Sequence, residues 1–127
     1  MNLNQNTNIL VVDDCKDNIL LMELLLKSEG YQVRSAATGM KGIAEIARKT
    51  PDLIILDLMM PDISGLEVIK YLKNRCRIGN VPIIMLTANS CLRHEDVRDV
   101  DALCYKPFNI DRLLAKIRSV LVFPVAV

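Results

Sequence analysis

Five polar residues stand at the ends of short apolar runs. Asp13 and Asp14 follow Ile9-Leu10-Val11-Val12, Asp57 follows Leu53-Ile54-Ile55-Leu56, Thr87 closes Val81 to Leu86, and Lys106 follows Ala102 to Tyr105. Singly, an aspartate in such a place is often a helix cap. If the runs are parallel strands, all five residues meet at one sheet edge, where open α/β sheets bind ligands. Three carboxylates in one crevice repel: two unit charges about 4 Å apart cost about 4 kcal/mol at an effective dielectric near 20. A hard divalent cation removes that cost, and carboxylate oxygens that leave waters in place suit Mg²⁺. A lysine charge and a threonine hydroxyl opposite the acids supply donors for an anion. Metal, lysine and hydroxyl around one carboxylate are the parts needed to move a phosphoryl group onto it.

The elements that must position these residues alternate along the chain. After the first run, Asn18 to Glu29 has helical length and composition, with Gly30 placed to stop it. Tyr31 to Ser35 reads as a second strand, and Gly39 to Lys49 as a helix with Ile43, Ile46 and Ala47 on one face, ended by Pro51. Beyond the third run, Gly65 to Cys76 places Leu66, Ile69, Leu72 and Cys76 at helical spacing. A polar helix is expected within Cys91 to Asp99 and a last one over Ile110 to Leu121, with Leu113, Leu114, Ile117, Val120 and Leu121 inward. Five βα units in succession predict an α/β fold with a parallel sheet covered on both faces. Strands apolar throughout, rather than alternating, agree with that.

The 127 residues make one domain, with no repeat or linker dividing them. Sixteen basic and fifteen acidic residues leave a formal charge of +1, which lacks the basic footprint of nucleic-acid binding. No apolar run reaches the roughly 18 residues of a membrane span, and the first eight residues lack the regions of a signal peptide. Four cysteines without a C-x-x-C pair and a single histidine give no zinc spacing and agree with reduced thiols in a cytoplasmic protein. On this reading residues 1–8 are a flexible start, 9–121 the domain, and 122–127 a short apolar tail that folds back or pairs with a second copy. The first helix is unusually apolar from Ile19 to Leu26, which leaves Ile19 and Leu20 beside its polar arc of Lys16, Glu23 and Lys27.

Over Ile9 to Leu121 the sequence resembles the receiver domain of two-component response regulators. The resemblance is carried by Val11-Val12-Asp13-Asp14, by the stretch from Pro51 to Pro61 with Gly65, by Thr87-Ala88, and by Lys106-Pro107-Phe108. It implies a doubly wound, flavodoxin-like sheet in the order 2-1-3-4-5. It implies that Asp57 accepts a phosphoryl group from a histidine kinase or another phosphorelay protein. Asp14 would bind Mg²⁺ directly, Asp13 mainly through water, and the backbone carbonyl of Met59 would complete the protein's share, with Mn²⁺ an acceptable substitute. Lys106, after a cis bond to Pro107, would contact the phosphoryl oxygens, and Thr87 would swing toward them and bias the domain between two states. The first helix would dock the helical phosphodonor.

Two departures stand out. The place three before the lysine, aromatic in most relatives, holds Leu103, while Tyr105 directly precedes the lysine. Asp99 stands where glycine is common, and Met59 and Asn89 hold the places that tune phospho-aspartate lifetime. The resulting expectation is a stand-alone receiver that signals by protein contact, without nucleic acid or membrane, through the surface of the Cys91–Asp99 helix, last strand and last helix. Arg93, Arg98, Arg112 and Arg118 are expected on or near it. One rival is a receiver-like binding module that is never phosphorylated, supported by Leu103 and opposed by the complete five-residue set. The other is an aspartate-nucleophile phosphatase, which would want a second Asp two residues after Asp57, where Met59 stands.

Overall fold

A computed structural model gives the fold and describes residues 6–76, 81–88, 92, 98–107 and 109–121. Its elements run β1 (Asn8–Val12), α1 (Lys16–Ser28), β2 (Gln32–Ala36), α2 (Gly39–Arg48), β3 (Leu53–Asp57), α3 (Gly65–Tyr71, continuing as a π-helical turn over Leu72–Cys76), β4 (Ile83–Thr87), β5 (Ala102–Tyr105) and α4 (Ile110–Leu121). The five strands are all parallel and lie in the order β2-β1-β3-β4-β5. This is the doubly wound α/β arrangement expected from the sequence. Of the helix expected within Cys91–Asp99 only Leu92, Arg98 and Asp99 are described, the last two in a turn; the rest of it and the 122–127 tail lie outside the described residues, as do Asn89, Arg93, His94 and Phe108. No helix among the described residues is long and apolar enough to cross a membrane.

The strands are apolar on both sides because each feeds two cores. Leu10, Val12, Ile54, Leu56, Ile83 and Met85 face α2 and α3, meeting Ile43, Ile46, Val68, Ile69 and Leu72. Their neighbours Ile9, Val11, Leu53, Ile55, Ile84 and Leu86 face α1 and α4, meeting Met22, Leu26, Leu113, Leu114 and Ile117. Val120 and Leu121 pack partly buried on the same core. The edge strand β2 is the exception, with Gln32 exposed and Arg34 half-buried. Arg34 bonds Asn8 Oδ1 at 3.1 Å and Glu45 Oε2 at 2.8 Å, so the polar residue ties the sheet edge to α2.

Several boundaries differ from the sequence reading. β1 begins at Asn8, whose amide donates to Asp52 Oδ2 at 2.7 Å. β2 starts at Gln32 rather than Tyr31, because Tyr31 belongs to the turn that closes α1. There Gly30 (φ 93°) and Tyr31 donate to the carbonyls of Lys27 and Leu26, a left-handed helix stop that suits glycine. β4 starts at Ile83, after Pro82, which has no amide for a ladder. Ala47 faces solvent instead of sharing the buried face of Ile43 and Ile46. Arg118 on α4 reaches Glu29 at the end of α1, at 3.3 Å.

Candidate phosphoryl-acceptor site

Parallel pairing carries the ends of β1, β3, β4 and β5 to one edge of the sheet, and the five singled-out residues arrive there together. Asp57 is the last residue of β3 and Thr87 the last of β4; Asp13 and Asp14 follow β1 and Lys106 follows β5. Carboxylate oxygens of Asp13, Asp14 and Asp57 lie within 4.8 Å of one another. Asp13 and Asp57 are buried and Asp14 is exposed. Opposite oxygens around a six-coordinate Mg²⁺ stand about 4.2 Å apart, so this cluster reaches a common ion directly or through one water. Three hard oxygen donors suit that cation, or Mn²⁺, better than a metal that seeks sulfur or imidazole.

Each buried acid has partners. Asp13 Oδ1 accepts from the Cys15 amide at 2.9 Å, and its Oδ2 from Asn18 Nδ2 at 3.4 Å. Lys106 Nζ stands 3.6 Å from Asp13 Oδ2 and 3.3 Å from Asp57 Oδ2. Asp57 Oδ1 accepts from the Met59 amide at 3.2 Å. Burial first, and then the charge of Asp13, push the Asp57 carboxyl above its ordinary range, while Lys106 pulls the other way. Lys106 is held in turn by its own backbone, whose amide donates to the Thr87 carbonyl at 2.8 Å, and its bond to Pro107 is cis. Thr87 is fully buried beside Asp57 in the sheet order.

The loop after Asp57 is tightly folded. The Leu58 amide donates to Leu86, and the Leu58 carbonyl accepts from Gly65 at 2.8 Å. Met59 projects into solvent, 68% exposed. Leu103, in register with Met85, packs partly buried on the α2/α3 core, and Tyr105, in register with Thr87, is exposed. The aromatic ring beside Thr87 therefore comes from position 105. Cys15 is exposed at the start of α1. Two contributors were not visible as site residues in the sequence. Asn18 reaches back across a helical turn to Asp13, and Asp62 accepts from the amides of Gly39 and Met40 at 3.0 and 2.9 Å. An N-x-[helix] or P-D pair carries no local signal for such contacts.

Comparison with known proteins agrees with this geometry. The family described as the response regulator receiver domain matches residues 9–118. The chain is 39% identical to the response regulator ArlR of Staphylococcus epidermidis over 91% of its own length and 52% of the relative's. It is 34% identical to the DNA-binding dual master transcriptional regulator RpaA of Synechocystis, over 89% of its length and 48% of the relative's. It thus spans about half the length of these relatives. Among solved structures, the chemotaxis protein CheY4 of Vibrio cholerae superposes with a TM-score of 0.83 at 29% identity, covering 90% of this chain and 98% of that one. The response regulator TrrA of Thermotoga maritima, solved in complex with Mg²⁺-BeF, superposes at 0.80 with 35% identity, again over 90% and 98%. Fold, carboxylate cluster and family match converge: the chain belongs to the response regulator receiver family.

Proposed function

We propose that Asp57 accepts a phosphoryl group from a histidine kinase or another phosphorelay protein. In this step an Asp57 oxygen attacks phosphorus, the bond from phosphorus to the donor's nitrogen or oxygen breaks, and an acyl phosphate forms. The observation that carries this reading is the setting of Asp57: buried, one oxygen held by the Met59 amide, the other 3.3 Å from Lys106, with Asp13 and Asp14 alongside. Asp13, Asp14, Asp57 and the Met59 carbonyl would hold Mg²⁺, or Mn²⁺ in its place. The ion, when bound, neutralises charge on the transferring group. Lys106 moves its charge from the carboxylates to the phosphoryl oxygens, and Thr87 turns its hydroxyl toward them. The changed position of Thr87 is passed to the neighbouring surface, which signals by a phosphorylation-dependent protein contact in the cytoplasm. The DNA-binding activity in the name of the Synechocystis relative is that protein's own.

Intact-mass measurement after incubation with a small acyl phosphate, and separately with a phosphorylated kinase, tests the reading. A single phosphoryl adduct that needs Mg²⁺ is expected from at least one donor. No adduct from either would overturn it in favour of a module that binds without being phosphorylated.

The same reading assigns α1 to the donor. Leu20 and Leu24 are 57% and 63% exposed on it. Beside them an open groove of about 250 Å³ is lined by Asn18, Leu21, Lys106, Pro107 and Ile110. The groove runs to the site lysine, which suits a partner that must present its phosphoryl group there. Leu20→Glu should therefore leave labelling by the small acyl phosphate unchanged and slow transfer from the kinase about tenfold or more, the effect of roughly 1.4 kcal/mol at the contact. Equal slowing of both reactions would mean that Leu20 matters to the fold and not to docking.

A further inference from the structure

The loop from Leu58 to Ser64 links Asp57 to α3, and it carries Met59. It is fastened at both ends, by the Leu58 backbone contacts to Leu86 and Gly65 and by Ile63 over α2. Ile63 lies so close that a Cβ on Gly39 would come within 2.5 Å of its Cγ1. Between these fastenings stand Met59, Met60, Pro61 and Asp62, and proline has no amide to contribute. Asp62 ties this stretch to a different element: Oδ1 accepts from the Gly39 amide at 3.0 Å and Oδ2 from the Met40 amide at 2.9 Å. These are two of the donors that the first turn of a helix leaves unpaired. A third, the Lys41 amide, goes to Thr38 Oγ1 at 3.1 Å, and Thr38 lies outside the loop.

The bond is charge-assisted on one side and sits at the positive end of a helix on the other. The Met40 amide first, with the Gly39 amide, holds the Asp62 carboxyl below its ordinary range, against the opposing effect of burial. Asp62 is thus ionised and clamped at neutral pH, although its side chain is exposed. A carboxylate that only capped α2 would not need to come from the acceptor loop, since Thr38 already stands at the helix start.

We propose that Asp62 is a positioning residue for the metal end of the site: by gripping the first turn of α2 it fixes the loop that presents Met59, and so sets how tightly the acidic pocket holds Mg²⁺. The proposal rests on the reading of Asp13, Asp14 and Asp57 as a Mg²⁺ site. It makes α2, which contributes no residue to that site, part of its support.

The experiment is a calorimetric titration of Mg²⁺ into the metal-free protein, run beside thermal unfolding of the same samples. Three variants are compared with the parent: Asp62→Ala, Asp62→Asn and Thr38→Ala. Asp62→Ala should raise the Mg²⁺ dissociation constant about three- to tenfold. Asp62→Asn, which keeps one acceptor oxygen, should fall between. Thr38→Ala removes a cap from the same helix turn without touching the loop, so it should lower the melting temperature and leave Mg²⁺ affinity at the parent value. A parent-like affinity in Asp62→Ala overturns the proposal, and so does an equal weakening in Thr38→Ala, which would make the effect one of helix stability. A parent protein that takes up no Mg²⁺ overturns the metal site itself and the proposal with it.

Discussion

Asp57→Asn is expected to remove the phosphoryl adduct completely, from a small acyl phosphate and from a phosphorylated kinase alike, while the chain stays folded. The amide has the carboxylate's shape but no anionic oxygen to attack phosphorus, and no second acid two residues on can take over, because Met59 stands there. The same variant should change how stability depends on pH. In the folded protein the Asp57 carboxyl is raised by burial and by Asp13, so it binds its proton more tightly folded than unfolded. Its contribution is full below the ordinary carboxylate pKa of about 4 and is lost as pH rises through the raised value. Asp62 and Glu45 are held low and act in the opposite sense, losing their contribution as pH falls below that ordinary value. Melting temperatures of metal-free protein between about pH 4 and pH 7 separate the two. The parent should fall relative to Asp57→Asn as pH rises, and Mg²⁺ at neutral pH should restore the parent more than the variant. A parent-minus-variant difference that stays flat over this range would count against a raised Asp57.

Gly65→Ala, outside the charged cluster, is expected to cost about 3 kcal/mol by urea unfolding. A Cβ there would stand 2.6 Å from the Asp57 carbonyl oxygen and 3.1 Å from Leu58 Cα. Both obstacles are backbone, and neither can rotate away. The Leu58–Gly65 hydrogen bond draws the two segments together at this point, so relief requires the acceptor loop itself to move. Variant protein that remains folded should therefore also be labelled more slowly at Asp57. Gly42→Ala is the comparison, because its Cβ would meet only side-chain atoms, both γ-methyls of the buried Val12 at 2.9 and 3.0 Å, and no backbone. About 1 kcal/mol is expected there. Equal costs at the two positions would show that the close approach to Asp57 is not what requires glycine.

The fold was largely legible because its signal is chemical type repeated along the chain. β1, β3 and β4 are uninterrupted apolar runs, and such runs are consistent with strands buried on both faces. The site was legible for a related reason: Asp13, Asp14, Asp57, Thr87 and Lys106 announce themselves by polarity directly after or at the end of those runs. What escaped was set by contacts across distance. The strand read at Tyr31 to Ser35 is present but shifted by one residue, because Tyr31 was drawn into the turn after α1, and the work of its Arg34 on Asn8 and Glu45 is not marked in the sequence. α1 begins at Lys16, two residues before the sequence reading. Its start has no side-chain cap of its own, while the Cys15 amide is satisfied by Asp13 from the preceding strand end. Asp62 binds amides more than twenty positions away, a partnership that only the folded loop creates. Ala47 was placed inward by helical spacing, yet the buried face of α2 is Gly39, Gly42, Ile43 and Ile46, and small size does not oblige a residue to be buried.

The order β2-β1-β3-β4-β5 has a consequence for the newly made chain. Every neighbouring pair of strands is parallel, so each pairing must wait for a crossover to be synthesised, and none can form as a local hairpin. The central pair β1 and β3 brings Val12 beside Leu56, and the lysine arrives only after β5, close to 50 residues later by sequence number. A nascent chain that has delivered all three aspartates still lacks the cation that holds two of them. The carboxylate cluster thus gains its lysine only with the last of the described strands to emerge, and if Asp57 is the acceptor proposed above, a partly made copy lacks the cation meant to meet the phosphoryl group. Only α4, which brings Leu113, Leu114 and Ile117 to the core, is still to come when the pocket has all its charges.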